Sequence, residues 1–168
     1  AMMEVARKHK VPHITGISTA AQLTEQNNPY FFRAVATTPM LGAAFGGELP
    51  KAIKAKRFAF LVINDDWGRS MVSAYPKSIE SAGGSIVGTE FFQSSELQFL
   101  SQITKIKSMS PDGIILAANT QHAAALSKQI REMGITVPLM GEGSWTSDSY
   151  LKLAGPALFG SFAVVDFN

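Results

Sequence analysis

The sequence predicts an α/β domain: a doubly wound, mostly parallel five-stranded sheet with helices on both faces. Three observations carry that reading. Short apolar runs recur, among them Phe58 to Ile63 and Gly113 to Ala118. Such runs, nearly continuous in apolar residues, mark strands covered on both faces. Between them, apolar residues recur at helical spacing. The connections are short, and strand–helix–strand repeats with short connections build parallel sheets.

Residues 1 to 36 do not make a complete unit of this kind. Met2 to Lys10 reads as the end of a helix, and Val11 to Gly16 as a strand. Ser18 to Asn28 reads as a loop with a helical turn, and Phe31 to Val35 as a short connecting strand. A helical pattern from Met40 to Ala55 is weakened by Gly42, Gly46, Gly47 and Pro50. Arg57 to Asn64 is the first complete strand, broken by Asp65-Asp-Trp-Gly68. A helix from Arg69 to Ala82 then stops at Gly83-Gly84, and Pro76 inside it predicts a kink or an irregular turn. Ser85 to Phe92 is the second strand. The helix around Leu97 to Met109 places Leu100, Ile103, Ile106 and Met109 on one face, and Ser110-Pro-Asp112 ends it. Gly113 to Asn119 is the third strand, Gln121 to Met133 a helix closed by Gly134, and Thr136 to Gly141 a short fourth strand. A short helix near Ser147 to Leu153 leads through Gly155-Pro156 to a fifth strand, Gly160 to Asp166.

Composition narrows the function classes. Of 168 residues, 46% are hydrophobic, enough to build a core and to exclude disorder. Lys+Arg 15 against Asp+Glu 13 leaves a net charge of +2, too small for a nucleic-acid footprint. The absence of cysteine removes disulfides, thiolate metal sites and a cysteine nucleophile. No apolar run approaches the roughly 20 residues that span a bilayer, and the opening residues lack the order of a signal peptide. There is no nucleophile elbow and no Walker lysine, and Gly141-Glu-Gly143 lacks the third glycine of a dinucleotide loop. His9, His13 and His122 are not at metal-ligand spacing and read as solvent-facing or packing residues. Asp65-Asp66 is similar to the acidic pair of phospho-receiver domains, but position 119 is Asn where that chemistry wants Asp. No cofactor or metal is expected.

Sheets of this type take ligands at the carboxyl ends of their strands. Those ends collect Asn64 to Trp67, Phe91 to Ser94, Asn119 to Gln121 and Gly141 to Trp145. This rim suits a small polar or zwitterionic molecule, and its two indoles point to apolar or aromatic side chains on that molecule. The same Asp, Asn, Gly and Ser residues also serve as helix caps. Both readings stand at this point.

A collinear series of motifs adds to this reading. Val11-Pro-His-Ile-Thr-Gly-Ile-Ser-Thr19, Pro29-Tyr-Phe-Phe-Arg33, Phe60-Leu-Val-Ile-Asn-Asp-Asp-Trp-Gly68 and Pro111-Asp-Gly-Ile-Ile115 come first. Gln129-Ile-Arg-Glu-Met-Gly134, Met140-Gly-Glu-Gly143 and Leu153-Ala-Gly155 follow. Together they resemble the type I periplasmic binding proteins of the branched-chain amino acid (Leu/Ile/Val-binding) class. The resemblance implies two lobes of flavodoxin-like topology, a chain that crosses the hinge three times, and a ligand clamped between the lobes. Residues 1–36 would be a remnant of the first lobe with the first crossing, at Phe31 to Ala36. Residues 37–163 would be the second lobe, and 164–168 the second crossing. A chain so divided would start inside a domain and lack part of the cleft.

The resemblance also implies a function and a site. The function is non-catalytic solute binding for an ABC importer, extracytoplasmic in the parent protein, with a membrane permease as partner. The ligand would be a branched-chain, apolar or aromatic amino acid or a related acid. Ser18 and Thr19 match the loop that holds the ligand carboxylate, and Trp67 an aromatic position against the ligand side chain. Asn119 matches a polar or aromatic position at the third strand end. Glu142 matches an acidic position that pairs with the ligand ammonium through a charge-assisted hydrogen bond; without the resemblance it reads as a solvated loop carboxylate. A ligand-sensing domain of a receptor or regulator, and an excised lobe used as a folding or design scaffold, remain as alternatives.

Two departures from the family pattern stand out. Gly46-Gly47 and Pro50 interrupt the first helix of the lobe, and Phe159 stands where an acidic residue is common, consistent with a contact surface. Phe31 and Phe32 are expected to be exposed together on the orphan segment. That segment would dock on its own lobe or exchange between two copies, and symmetry favours a homodimer by exchange.

Overall fold

In the computed structural model, which describes residues 2–165, the chain opens with helix α1 (Met2–His9) and strand β1 (His13–Thr15). A single helical turn, α2 (Gln22–Glu25), and strand β2 (Phe31–Arg33) follow. β1 and β2 pair in parallel as a separate two-stranded sheet. Alternation along β2 separates the two phenylalanines that the sequence exposes together. Phe31 is buried and meets the His13 ring edge-on at 5.1 Å, while Phe32 is 50% exposed. Ile14 and Ile17 are also exposed on this segment.

Helix α3 (Thr38–Ile53) leads into the main sheet. Its strands are β3 (Arg57–Ile63), β4 (Ser85–Phe92), β5 (Gly113–Ala117), β6 (Leu139–Gly141) and β7 (Phe162–Ala163). They lie in the order β4-β3-β5-β6-β7, and every described pairing is parallel. Between them run α4 (Asp66–Ser81), α5 (Leu100–Ser108), α6 (Thr120–Glu132) and α7 (Asp148–Ala154). The expected doubly wound five-stranded sheet is the observed one. Alternation along β3 divides the core: Phe58, Phe60 and Val62 pack towards α3 and α4, whereas Ala59, Leu61 and Ile63 face α5, α6 and α7. On the second face Tyr150 is fully buried, its hydroxyl 3.1 Å from that of Ser127, and burial pushes its phenol up to about 12. Asp166, the expected end of the fifth strand, lies with residues 167 and 168 of the expected second crossing outside the described residues.

The sequence weakens the first long helix at its glycines and kinks the second at Pro76, yet both run unbroken through these residues. Packing accounts for the glycines. A Cβ on Gly42 would lie 2.7 Å from the Tyr75 ring, and one on Gly46 would lie 2.4 Å from Cβ of Ser78 and 2.6 Å from the main-chain nitrogen of Ile79. The residues that lower helix propensity let α3 lie directly against α4. Gly47 faces open space. Past Pro50 the helix closes on Lys54 in the left-handed region (φ 54°), and the Ala55 N–H returns to the Pro50 carbonyl at 3.1 Å.

Asp112 fastens the start of β5 to the start of β3. Its Oδ2 accepts the N–H groups of Lys56 and Arg57 at 3.0 and 2.9 Å, and its own N–H donates to the Arg57 carbonyl at 2.7 Å.

Two expectations follow for stability. In urea or thermal unfolding, Gly46→Ala is expected to cost about 1–3 kcal/mol, because the new methyl group has no room. Gly47→Ala is expected to be neutral or to stabilise by up to about 1 kcal/mol through helix propensity. The second concerns acid. The Lys56 and Arg57 N–H groups, with the Arg57 charge, hold the Asp112 carboxyl below the usual carboxylate range. A depressed folded-state value makes this contribution complete above the unfolded-state pKa of about 4, and it is lost as pH falls through the lower value. Melting temperatures of wild type and Asp112→Asn are therefore expected to differ at pH 7 and to converge in acid.

Candidate functional site

The connection from β3 runs to β4 on one side, and the connection from its neighbour β5 runs to β6 on the other. A switch of that kind opens a crevice at the carboxyl ends of the strands. The turn from β3 into α4 is tightly specified. Asp65 caps the helix, accepting the Gly68 N–H at 2.8 Å, and a Cβ on Gly68 would fall 2.1 Å from the Ile63 carbonyl oxygen. Trp67, between these two residues, is half-buried, and its indole N–H donates to Glu142 Oε2 at 3.3 Å.

Glu142 follows β6 and is only 9% exposed. The solvated-loop reading of this residue is therefore overturned. Its Oε1 accepts the hydroxyl of Tyr75, a wholly buried residue of α4. Its main-chain carbonyl accepts the Trp145 N–H at 3.0 Å, opening a 3₁₀ turn over Gly143–Thr146. Trp145 does not stay at the rim. Its indole lies on Gly141, where a Cβ would come within 2.0 Å of it, and its ring centroid is 4.8 Å from that of Tyr150. The suggestion of an apolar ligand now rests on Trp67 alone.

Asn119 lies two residues past the neighbouring β5 at the same edge and is exposed, but its side chain is engaged with α6, which it caps. Its Oδ1 accepts the His122 N–H at 3.2 Å and lies 2.8 Å from the ring Nδ1. His122 is itself buried, with Nε2 3.1 Å from the Ser94 carbonyl, so it braces the loop after β4 against α6.

Ser18 and Thr19 come from the other sheet's loop. Ser18 is exposed, and its carbonyl accepts the Arg33 guanidinium, which also donates to the Ala20 carbonyl at 2.6 Å. Burial lowers the pKa of Arg33. Thr19 is buried and anchored on the start of α3. Its carbonyl accepts the Thr38 N–H at 2.7 Å, and its hydroxyl accepts that of Thr38 at 3.1 Å. The Ser70 hydroxyl lies 3.3 Å from that of Thr38 and donates to the Trp67 carbonyl at 2.7 Å. A chain of hydroxyls thus joins the Thr19 loop to the Trp67 turn.

The structure therefore brings Trp67 and Glu142 into contact, links Thr19 to the Trp67 turn through Thr38 and Ser70, and leaves Ser18 and Asn119 at the periphery. Tyr75, Thr38 and Ser70 escape sequence reasoning because each reads as an ordinary helix residue. Two open hollows, of about 660 and 450 Å3, lie along the outer face of α6, and neither is lined by the five expected site residues.

Comparison with known proteins agrees with the fold. The periplasmic binding protein family model matches residues 1–168. An amino acid binding protein of Pseudomonas aeruginosa is 26% identical over 142 residues, 84% of this chain and 38% of the relative. A leucine-, isoleucine-, valine-, threonine- and alanine-binding protein of the same organism is 22% identical over 152 residues, 90% of this chain and 41% of the relative. A solute-binding protein of an ABC transporter from R. palustris, solved in complex with benzoate, superposes with a TM-score of 0.84 at 26% identity. That match covers 94% of this chain and 43% of the solved one. The chain thus spans well under half the length of the relatives it matches.

The hydroxyl chain yields an expectation of its own. Thr38→Val removes its middle member and leaves the Thr19 hydroxyl without its donor, at a cost of about 1–2 kcal/mol. Amide hydrogen exchange is expected to quicken at residues 18–20; unchanged protection there would mean that the hydroxyl chain does not hold the loop.

Proposed function

The chain belongs to the periplasmic binding protein family, and from that premise we propose that it forms one wall of a solute-binding cleft that serves an ABC importer. The observation that carries this reading is the buried Glu142 carboxylate, set beside the Trp67 indole at the switch-point edge of the sheet. The ligand is a branched-chain, apolar or aromatic amino acid or a related acid. Glu142 takes its ammonium, Trp67 packs on its side chain, and Ser18 and Thr19 hold its carboxylate. Asn119 supplies a further polar contact from the adjoining strand end. The names of the relatives, which bind amino acids or hold benzoate, support this ligand class.

In this reading residues 1–36 belong to the first lobe, 37–163 form the second, and 164–168 begin the return crossing. The separate β1–β2 sheet supports the first boundary. The role is binding without catalysis, outside the cytoplasm, with delivery to a membrane permease. Affinity in such proteins comes from closing two walls on the ligand, which removes water and strengthens each polar contact. One wall alone binds weakly, at roughly millimolar. The exposed Ile14, Ile17 and Phe32 support a second copy as a further partner, giving a homodimer.

The test is a titration of L-leucine, L-valine, L-phenylalanine and benzoate, followed by NMR of the Trp67 indole N–H. Millimolar binding of the amino acids that Glu142→Gln weakens is expected. Submicromolar binding by monomeric chain, or an indole resonance unmoved by every ligand, would sink the reading. Light scattering of the same samples across a dilution series reads the dimer, which a constant monomer mass would exclude.

A further inference from the structure

Tyr75 combines three properties seldom found together in a packing residue. It has no exposed surface, its ring is clamped from two elements, and its hydroxyl reaches a carboxylate at the edge of the sheet. Phe45 of α3 lies 5.1 Å from the ring centroid and Phe60 of β3 lies 6.5 Å from it. On a third side Gly42 supplies the room, since a Cβ there would come within 2.7 Å of the ring. The phenol is therefore aimed by the core, and the atom it is aimed at is Glu142 Oε1. Trp67 holds the other carboxylate oxygen from the rim at 3.3 Å.

We propose that Tyr75 is a positioning residue of the ligand site, fixing the Glu142 carboxylate in the orientation that receives the ligand's ammonium. The inference rests on the role given to Glu142 above. Tyr75 itself is too deep to touch a ligand. Each carboxylate oxygen has two lone-pair directions, and one on each is taken by a neutral donor. Held at both oxygens, from the core and from the rim, the carboxylate loses its freedom to rotate. A glutamate without these restraints would lose that rotational freedom on binding, at a cost in affinity. The effect is specific to ammonium-bearing ligands, because a molecule lacking the ammonium does not call on Glu142.

The experiment compares L-leucine with 4-methylpentanoate, the same skeleton without the amino group, by NMR titration of the Trp67 indole. Wild type, Tyr75→Phe and Glu142→Gln are each titrated after thermal melting has shown them folded. Tyr75→Phe is expected to weaken L-leucine about tenfold and 4-methylpentanoate less than about twofold, with Glu142→Gln at least as damaging to L-leucine. Equal loss on both ligands would reduce Tyr75 to a packing residue and overturn the proposal. A loss with Glu142→Gln but none with Tyr75→Phe would overturn it while leaving the role of Glu142 intact. No effect of Glu142→Gln, or no binding of L-leucine by wild type, would remove that role and the proposal with it. Should Tyr75→Phe fail to fold, wild type decides through the Tyr75 ζ-carbon, which carries the hydroxyl. Its resonance is expected to shift with L-leucine and not with 4-methylpentanoate; an unmoved resonance overturns the proposal.

Discussion

Gly42 and Gly46 set how closely α3 approaches α4, and much of the sheet's working edge follows from that separation. At Gly46 the two helices meet main chain to main chain, and at Gly42 the gap is filled by the Tyr75 ring. Protein interiors are packed as densely as organic crystals, so a methyl group added at either position must displace a neighbour. At their amino ends the same two helices bring the Thr38 and Ser70 hydroxyls within 3.3 Å of each other. One helix pair therefore supports both the carboxylate of Glu142 and the turn that carries Trp67.

The two faces of the sheet divide the polar work differently. Towards α3 and α4 it is done by hydroxyls and a carboxylate, all close to the edge where water ends. Towards α5 and α6 an amide and an imidazole brace the strand-end loops, with Asn119 and His122 tied to each other and to the Ser94 carbonyl. Buried polar groups cost little when each has a partner and much when one is lost. Small movements on the first face are thus felt by the Glu142 carboxyl, whereas on the second they are felt mainly by the backbone.

What was legible in the sequence follows from where each signal resides. β3 and β5 announce themselves because strands buried on both faces need unbroken apolar runs, and the Ser85–Phe92 strand matches residue for residue. β7 is shorter than its apolar stretch suggests, with two residues in the ladder. The glycines of α3 mislead because propensity measures a helix alone and not the neighbour it must touch. Trp145 misleads because position along the chain says nothing of which way an indole turns, and here Gly141 lets it turn inward. Trp67 and Glu142 are identifiable from strand ends and motif order. Tyr75 is not, since its contact with Glu142 joins residues 67 apart in sequence.

The turn at residue 67 is held almost wholly through its main chain. Asp65 grips the Gly68 N–H, Gly68 leaves clearance for the Ile63 carbonyl, and Ser70 donates to the carbonyl of residue 67 itself. None of these restraints involves the indole. The turn is thereby specified apart from the indole: an exchange of the side chain at this position gives up its contacts with Glu142 and with both faces of the core, while the main-chain restraints that shape the turn stay in place.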